Sequence, residues 1–525
     1  MNRRAVDRRT VLRGAAATAA AVSASGIAAT GAQATQAASA VRPVGGGLPR
    51  SLVFDKADYT VRTATLPSAD GGTKEVTYHF YGPVTYVTDP VDATHQSLVV
   101  SVPVAIDGEK VDAGHTPIVF ANWVGGYFPV SVAKSTGIGE GIMEMPGGRV
   151  LENNGNDSNL PKLALAAGYV VVEPGARGRT LVDAGGVYYG TAPAVIVDLK
   201  AAVRYLRANK GRVPGDTERI VSTGTSAGGA MSALLGASGD SHLYDGHLRE
   251  LGAADASDAV FATAAWCPIA DLEHADMSYE WCWGSAKLSG TGALVDQTLS
   301  KELSAAFADY QASLRIDGIG RYGRLTARNY DDYLLTTYLR PAATAYLDGL
   351  SAEARSAYLA ANPAIGWDGG RASFTWDAYL AHMGGRNKNV PSFDGFGLTT
   401  GENNLFGKGT VGARHFTRYG LDHDTTGLTT KRLDKDIPET LALMNPMHFI
   451  RQRHAGRSRH WWIRLGTSDP HTSLTVAGNL AASLAGLGDD VNSAMYWDAG
   501  HATNRDPAAF LNWAAQVTGH RPPGA

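Results

Sequence analysis

Arg219-Ile220-Val221-Ser222-Thr223-Gly224-Thr225-Ser226-Ala227-Gly228-Gly229-Ala230 is the stretch that decides the fold of this chain. Apolar residues lead into small ones and then into Met231-Ser232-Ala233-Leu234-Leu235, which predicts a buried strand, a sharp turn and a helix. Gly224 to Gly228 fits G-x-S-x-G, in which a serine stands on a strained strand-to-helix turn with its hydroxyl exposed. Such a turn needs neighbours without bulk. It also leaves the Ala227 N–H, at a helix start, able to hold an oxyanion. The motif is short, and 62 of 525 residues are glycine, so a plain Gly/Ser turn is the competing reading that the rest of the chain must decide.

Working outward, residues 51–105 predict antiparallel strands, with alternation over 74–81 and a β-rich run at 97–102. Apolar runs at 116–123, 168–175, 259–266 and 460–469 and a run at 490–497 predict further strands. Between them lie helical patterns, such as Ile196, Leu199, Val203 and Leu206 at three- and four-residue steps. A Gly/Asn-rich insertion fills about 128–158, and a short helix runs through Lys162. Strands that are apolar on both faces and alternate with helices imply a mostly parallel, doubly wound sheet. The alternation stops near 275 and resumes near 441. The intervening segment is rich in Tyr, Ala and Asp, with helical stretches. The expected organisation is an α/β-hydrolase core over 41–274 and 441–525 with a large, mainly helical lid inserted at 275–440. A separate appended domain is the alternative.

Composition narrows the function. A hydrophobic fraction of 44% and a charged fraction of 18% suit a folded protein, and a net charge of −3 offers no footprint for nucleic acid. Asp7-Arg8-Arg9-Thr10-Val11-Leu12-Arg13-Gly14 carries a twin arginine and is followed by an uncharged Ala/Thr/Ser-rich run with small-x-small sites at Ala32-Gln33-Ala34 and Ala38-Ser39-Ala40. Residues 1–34 therefore predict a twin-arginine export signal, and the protein is expected to be secreted. The run is too Ala-rich for a permanent membrane span; a disordered or membrane-anchoring N-terminus is the alternative. Cys267 and Cys282, the only cysteines, could pair or remain free. No C-x-x-C and no H-E-x-x-H occurs, so neither metal nor cofactor is expected.

Ser226, Asp469 and His501 follow one another in the order Ser…Asp…His. Each lies just after a predicted core strand, at the carboxyl edge where such sheets carry their sites. His501 is expected to take the Ser226 proton and Asp469 to fix the imidazole tautomer. The second oxyanion donor is expected at Gly125 or Gly126, which end the run Asn122-Trp123-Val124-Gly125-Gly126.

Several segments together resemble the bacterial tannases (tannin acyl hydrolases). They are Val124-Gly125-Gly126-Tyr127, the elbow, Cys267-Pro268-Ile269-Ala270-Asp271, Val390-Pro391-Ser392-Phe393-Asp394, Glu402-Asn403-Asn404, Met444-Asn445-Pro446-Met447-His448 and Trp461-Trp462-Ile463-Arg464. The resemblance implies an α/β-hydrolase with a large lid and the triad Ser226, Asp469 and His501. It further implies that Lys388 and Glu402 hold phenolic hydroxyls and that Ile269 packs on the aromatic ring. The family's third phenol-binding position, an Asp, is His471 here. A neutral imidazole offers one acceptor and one donor where a carboxylate accepts from two vicinal phenols. The expected activity is hydrolysis of galloyl or related hydroxyaryl carboxylic esters through an acyl-enzyme, on a small-molecule substrate. A feruloyl-type or general carboxylesterase is the alternative, then a serine peptidase, and outside enzymes a binding protein on a hydrolase scaffold. Oligomeric state is left open.

Overall fold

In a computed structural model, residues 48–152 and 159–523 are described. The expected export signal, residues 1–34, lies outside the described residues.

The apolar runs become strands because their side chains have somewhere to go on both faces. In chain order these are β1 (Thr60–Pro67), β2 (Thr73–Thr85), β3 (Ser97–Ile106), β4 (Pro117–Ala121), β5 (Val170–Pro174), β6 (Asp216–Thr225), β7 (Ala262–Trp266), β8 (His460–Gly466) and β9 (Asp490–Tyr496). They pair in the order β1-β2-β3-β5-β4-β6-β7-β8-β9, with the two-residue strand Glu109–Lys110 off this path on β3. β1, β2 and β3 are antiparallel, and β3 is antiparallel to β5. From β5 to β9 every pairing is parallel. Every residue of β4, β5 and β7 is buried, as a sheet covered on both sides requires. Registry pairs Thr223 with Ala121, Thr225 with Trp266, and Gly466 with Tyr496. The chain therefore leaves these strands along one edge.

The helix α1 (Leu160–Ala166) is capped by Asn159, whose side chain accepts the Lys162 N–H. In α2 (Ala194–Ala208) the predicted apolar face, Ile196, Leu199, Val203 and Leu206, is buried. Helix α3 (Ala227–Ala237) follows the elbow and is buried throughout. The Gly/Asn-rich insertion holds a small three-stranded sheet, Val130–Ser131, Ile142–Met145 and Arg149–Glu152.

Between β7 and β8 the chain is mainly helical. The helices α4 (Leu272–Trp283) and α5 (Gln297–Leu314) open it, and α6 (Trp376–Met383), α7 (Gly401–Leu405) and α8 (Ile437–Met444) follow after further short helices and two small hairpins. The boundaries expected at 274/275 and 440/441 fall inside α4 and α8. Aromatic residues give this region its own packing: the Trp281 ring lies 5.2 Å from Phe307, 5.5 Å from Trp376 and 5.6 Å from Tyr330. One buried apolar cluster nonetheless runs from the sheet into these helices. Of the last two helices, α9 (Leu474–Gly486) packs on β8 and β9, and α10 (Pro507–Thr518) sets its Phe510 ring against Trp266 of β7 and Trp462 of β8. Among the described residues no helix is long and apolar enough to cross a membrane.

Candidate active site

Ser226 has φ 62° and ψ −124°, a left-handed conformation that a serine adopts only under constraint. The constraint is visible. The Ser226 N–H donates to the Trp266 carbonyl at 3.0 Å, and the Ser226 carbonyl accepts the Ala230 N–H at 3.0 Å. The surrounding glycines are steric requirements. A Cβ on Gly224 would lie 2.2 Å from the Gly228 carbonyl oxygen, and one on Gly229 2.4 Å from that of Trp266. A Cβ on Gly228 would meet Asn122 Oδ1 at 2.6 Å. These close approaches account for the composition of G-x-S-x-G-G.

His501 Nε2 lies 2.8 Å from Ser226 Oγ, and His501 Nδ1 lies 2.8 Å from Asp469 Oδ2. Asp469 is fully buried, and its other oxygen accepts the His471 N–H at 2.8 Å. Burial alone would pull the His501 pKa down, but the bond to Asp469 and the neighbouring Cys267 thiol outweigh it and raise it from 6.5 to about 10. The carboxylates flanking β9 are engaged elsewhere: Asp489 with Arg457 and Arg459, Asp490 with His460, and Asp498 with His382.

A cavity of about 320 Å³ opens in front of Ser226 and His501. Its wall includes Gly126, Ala227, Ile269, Lys388, Glu402 and His471. Six residues expected from five separate regions of sequence thus share one wall. Asp469 sits behind His501, out of the cavity, and Gly125 lines a neighbouring cavity instead. The loop carrying both glycines is tied to the elbow by Asn122, whose amide donates to the Thr223 and Gly228 carbonyls at 2.9 and 3.2 Å. Tyr127, at φ 58°, donates its hydroxyl to the Ile269 carbonyl at 2.8 Å.

The lid residues are placed by buried polar contacts. Asp276 of α4 accepts the N–H groups of Ser392, Phe393 and Asp394 at 2.6, 2.7 and 3.0 Å. Arg386 pairs with Glu280, both fully buried, and donates to the Lys388 carbonyl at 2.8 Å. The Lys388 ammonium lies 3.5 Å from the Phe393 ring centroid. Burial lowers its pKa, and Glu402 opposes that shift. Glu402 stands in the first turn of α7, behind a Thr400–Asn403 capping box. The His471 ring is 4.5 Å from that of His501, and burial followed by the His501 charge lowers its pKa, which favours the neutral form.

Arg179 is a cavity residue that sequence reasoning missed. It donates to the Gly126 carbonyl at 2.8 Å and to Asn404 Oδ1 at 2.9 Å, and it lies 4.2 Å from the Phe128 ring centroid. Its position just beyond the β5 edge was the available signal. Both cysteines are buried free thiols, which answers the disulfide question.

Among the described residues, two groups of side chains have metal-ligand types within 4.8 Å of one another, Cys267–Asp469–His501 and Asp271–Glu273–His274. In the first, both His501 nitrogens already serve Ser226 and Asp469. In the second, Asn445 donates to Asp271 and Glu273, while Tyr310 donates to Asp271 and His274 lies 2.8 Å from it. Each set is engaged by protein partners.

Residues 147–308 match the BD-FAE family model, an α/β-hydrolase family. The native structure of a tannin acyl hydrolase from Lactobacillus plantarum superposes with a TM-score of 0.75 at 34% identity, covering 89% of this chain and 99% of that one. A tannin acyl hydrolase in complex with 3,4-dihydroxybenzoate gives a TM-score of 0.76 at 33% identity with the same coverage. The Fusobacterium nucleatum tannase gives 0.75 at 32%, again with 89% and 99% covered. Comparison with curated proteins gives no significant match. With this identity over nearly the whole of those chains, the protein is a carboxylic ester hydrolase and belongs to the tannase (tannin acyl hydrolase) family of α/β-hydrolases.

Proposed function

We propose that this chain is an exported serine esterase that cleaves galloyl or related hydroxyaryl esters through an acyl-enzyme. The observation that carries the proposal is the Ser226–His501–Asp469 chain of contacts opening on a cavity lined by Ile269, Lys388, Glu402 and His471.

His501 Nε2 takes the proton as Ser226 Oγ attacks the ester carbonyl. The Ala227 N–H and an N–H of the Gly125–Gly126 turn hold the developing oxyanion. As the carbon–oxygen bond breaks, His501 returns its proton to the departing alcohol. Water, deprotonated by His501, then attacks the acyl-enzyme, and Ser226 leaves with the proton. Asp469 holds the tautomer throughout. A hydroxylated ring fits the polar wall, because Lys388 donates, Glu402 accepts and Ile269 offers a flat apolar contact.

His471 favours a second reading alongside gallate. One imidazole nitrogen replaces the carboxylate expected at a phenol-binding position, which costs about 1–3 kcal/mol with vicinal hydroxyls. Acids with fewer hydroxyls, including hydroxycinnamates, then compete with gallate. Export is supported by Arg8-Arg9 and the uncharged run behind them.

The test is a panel of gallate, protocatechuate, ferulate and acetate esters on the wild type, Ser226→Ala and His471→Asp. Ser226→Ala should abolish turnover, and His471→Asp should raise gallate preference by about ten-fold. Unchanged turnover in Ser226→Ala would sink the assignment. Unchanged preference in His471→Asp would remove the role of position 471.

A further inference from the structure

Ser226 and His501 face two cavities. Beside the polar one lies a second, of about 470 Å³, lined by Trp123, Val124, Met143, Leu151, Leu160 and Pro161 together with the elbow. From these two walls we infer that the second cavity receives the alcohol portion of the ester, and that the alcohol it selects is apolar, an alkyl chain or an aryl ring. The inference rests on the proposed placement of the hydroxyaryl acid in the polar cavity.

The geometry leads there in two steps. The ester oxygen that departs must lie beside His501, which protonates it, so the alcohol extends away from the acid along a surface His501 also touches. His501 and Ser226 are the two side chains common to both walls. An ester with its acid against Lys388 and Glu402 therefore directs its alcohol into the second cavity.

The chemistry of that cavity then selects the alcohol. Its buried polar groups are few, and the Asn122 and Trp123 side chains are already engaged. The Asn122 amide donates to Thr223 and Gly228, and its Oδ1 accepts the Val124 N–H at 3.3 Å. The Trp123 indole N–H donates to Glu173 at 2.9 Å, which leaves the face of the indole for a ligand. Beyond Ser226 and His501, the other polar groups on the wall are Thr223, Thr225, Asn504 and the unpartnered Trp266 indole N–H, too few to match the ring of hydroxyls on a sugar. Unmatched hydroxyls weaken binding, whereas each buried methylene strengthens it. Met143 adds an adaptable surface, with its thioether packed against Gly125, where a Cβ would come within 2.7 Å of Sδ.

The experiment measures kcat/KM for methyl, butyl and octyl gallate and a glucose monogallate. It is repeated on Met143→Asp and on Leu151→Asp, whose position is 46% exposed and tolerates substitution. The wild type should gain about three- to four-fold per methylene until the cavity is filled, with the glucose ester well below octyl. Each charged variant should cut the octyl-to-methyl ratio by at least about ten-fold. A flat series, a glucose ester as good as octyl, or ratios unchanged in both variants would overturn the inference. The same series on acetate, which asks nothing of the polar cavity, separates the two assignments. If gallates are not cleaved but the acetate series still climbs, the acid is misassigned and the alcohol cavity stands.

Discussion

His501 is where the electrostatics of single residues become measurable. Its pKa is raised from 6.5 to about 10 against the effect of burial, by the Asp469 carboxylate and the Cys267 thiol beside it. A general base must be neutral, so kcat/KM should climb with pH along a limb displaced above the ordinary histidine range. Asp469→Asn should move that limb to lower pH and lower the plateau by on the order of 10⁴-fold. A pH–rate profile of both proteins checks this, and a limb that stays put would remove Asp469 as the cause. The sign for stability follows from the same shift. The protonated form is favoured in the folded state, so the stability it lends is complete below pH 6.5 and is lost as pH rises through about 10.

At the scale of elements, the decisive object is the joint between β6 and α3. The strand, the turn and the helix approach so closely that three positions admit no Cβ, and each contact is with backbone or with the buried Asn122. Gly229→Ala must push on the Trp266 carbonyl of β7, which itself holds the Ser226 N–H. It should cost about 1–3 kcal/mol in denaturant unfolding and lower activity together with stability. Gly246, in the helix Asp245–Glu250, has nothing within 4 Å of its added Cβ. Gly246→Ala should therefore stabilise by about 0.4–1 kcal/mol and leave activity alone. Equal effects at the two sites would mean that crowding at the elbow is not what the glycines serve.

Across the whole molecule, the helical insertion holds the loops of the sheet edge as well as covering them. Tyr379 of α6 donates to the Thr467 carbonyl at 2.7 Å, Tyr279 of α4 to that of Pro470 at 2.7 Å, and Trp283 to that of Thr472 at 3.0 Å. The segment carrying Asp469 and His471 is therefore pinned from the lid side. The buried Glu280–Arg386 pair joins α4 to the loop bearing Lys388. Arg386→Met strands a buried carboxylate and should cost about 3–5 kcal/mol, with a raised KM for hydroxyaryl esters. Adding Glu280→Gln should recover much of the stability, since the unpaired charge is then gone. Thermal unfolding of the single and double variants checks both statements.

Local residue order was sufficient for the sheet, the elbow and the chain order of Ser226, Asp469 and His501. Strand and helix periodicity is written into neighbouring residues, and a nucleophile turn admits only small ones. Lys388, Glu402, His471 and Ile269 were legible through family resemblance, because a lysine in a polar loop carries no mark of burial until a distant segment packs on it. Arg179 went unseen for the same reason. The choice between Gly125 and Gly126 as cavity neighbours, the free state of Cys267 and Cys282, and the second, apolar cavity all depend on contacts between residues far apart in the chain. Such contacts exist only when the fold has closed, so tertiary structure alone decided them.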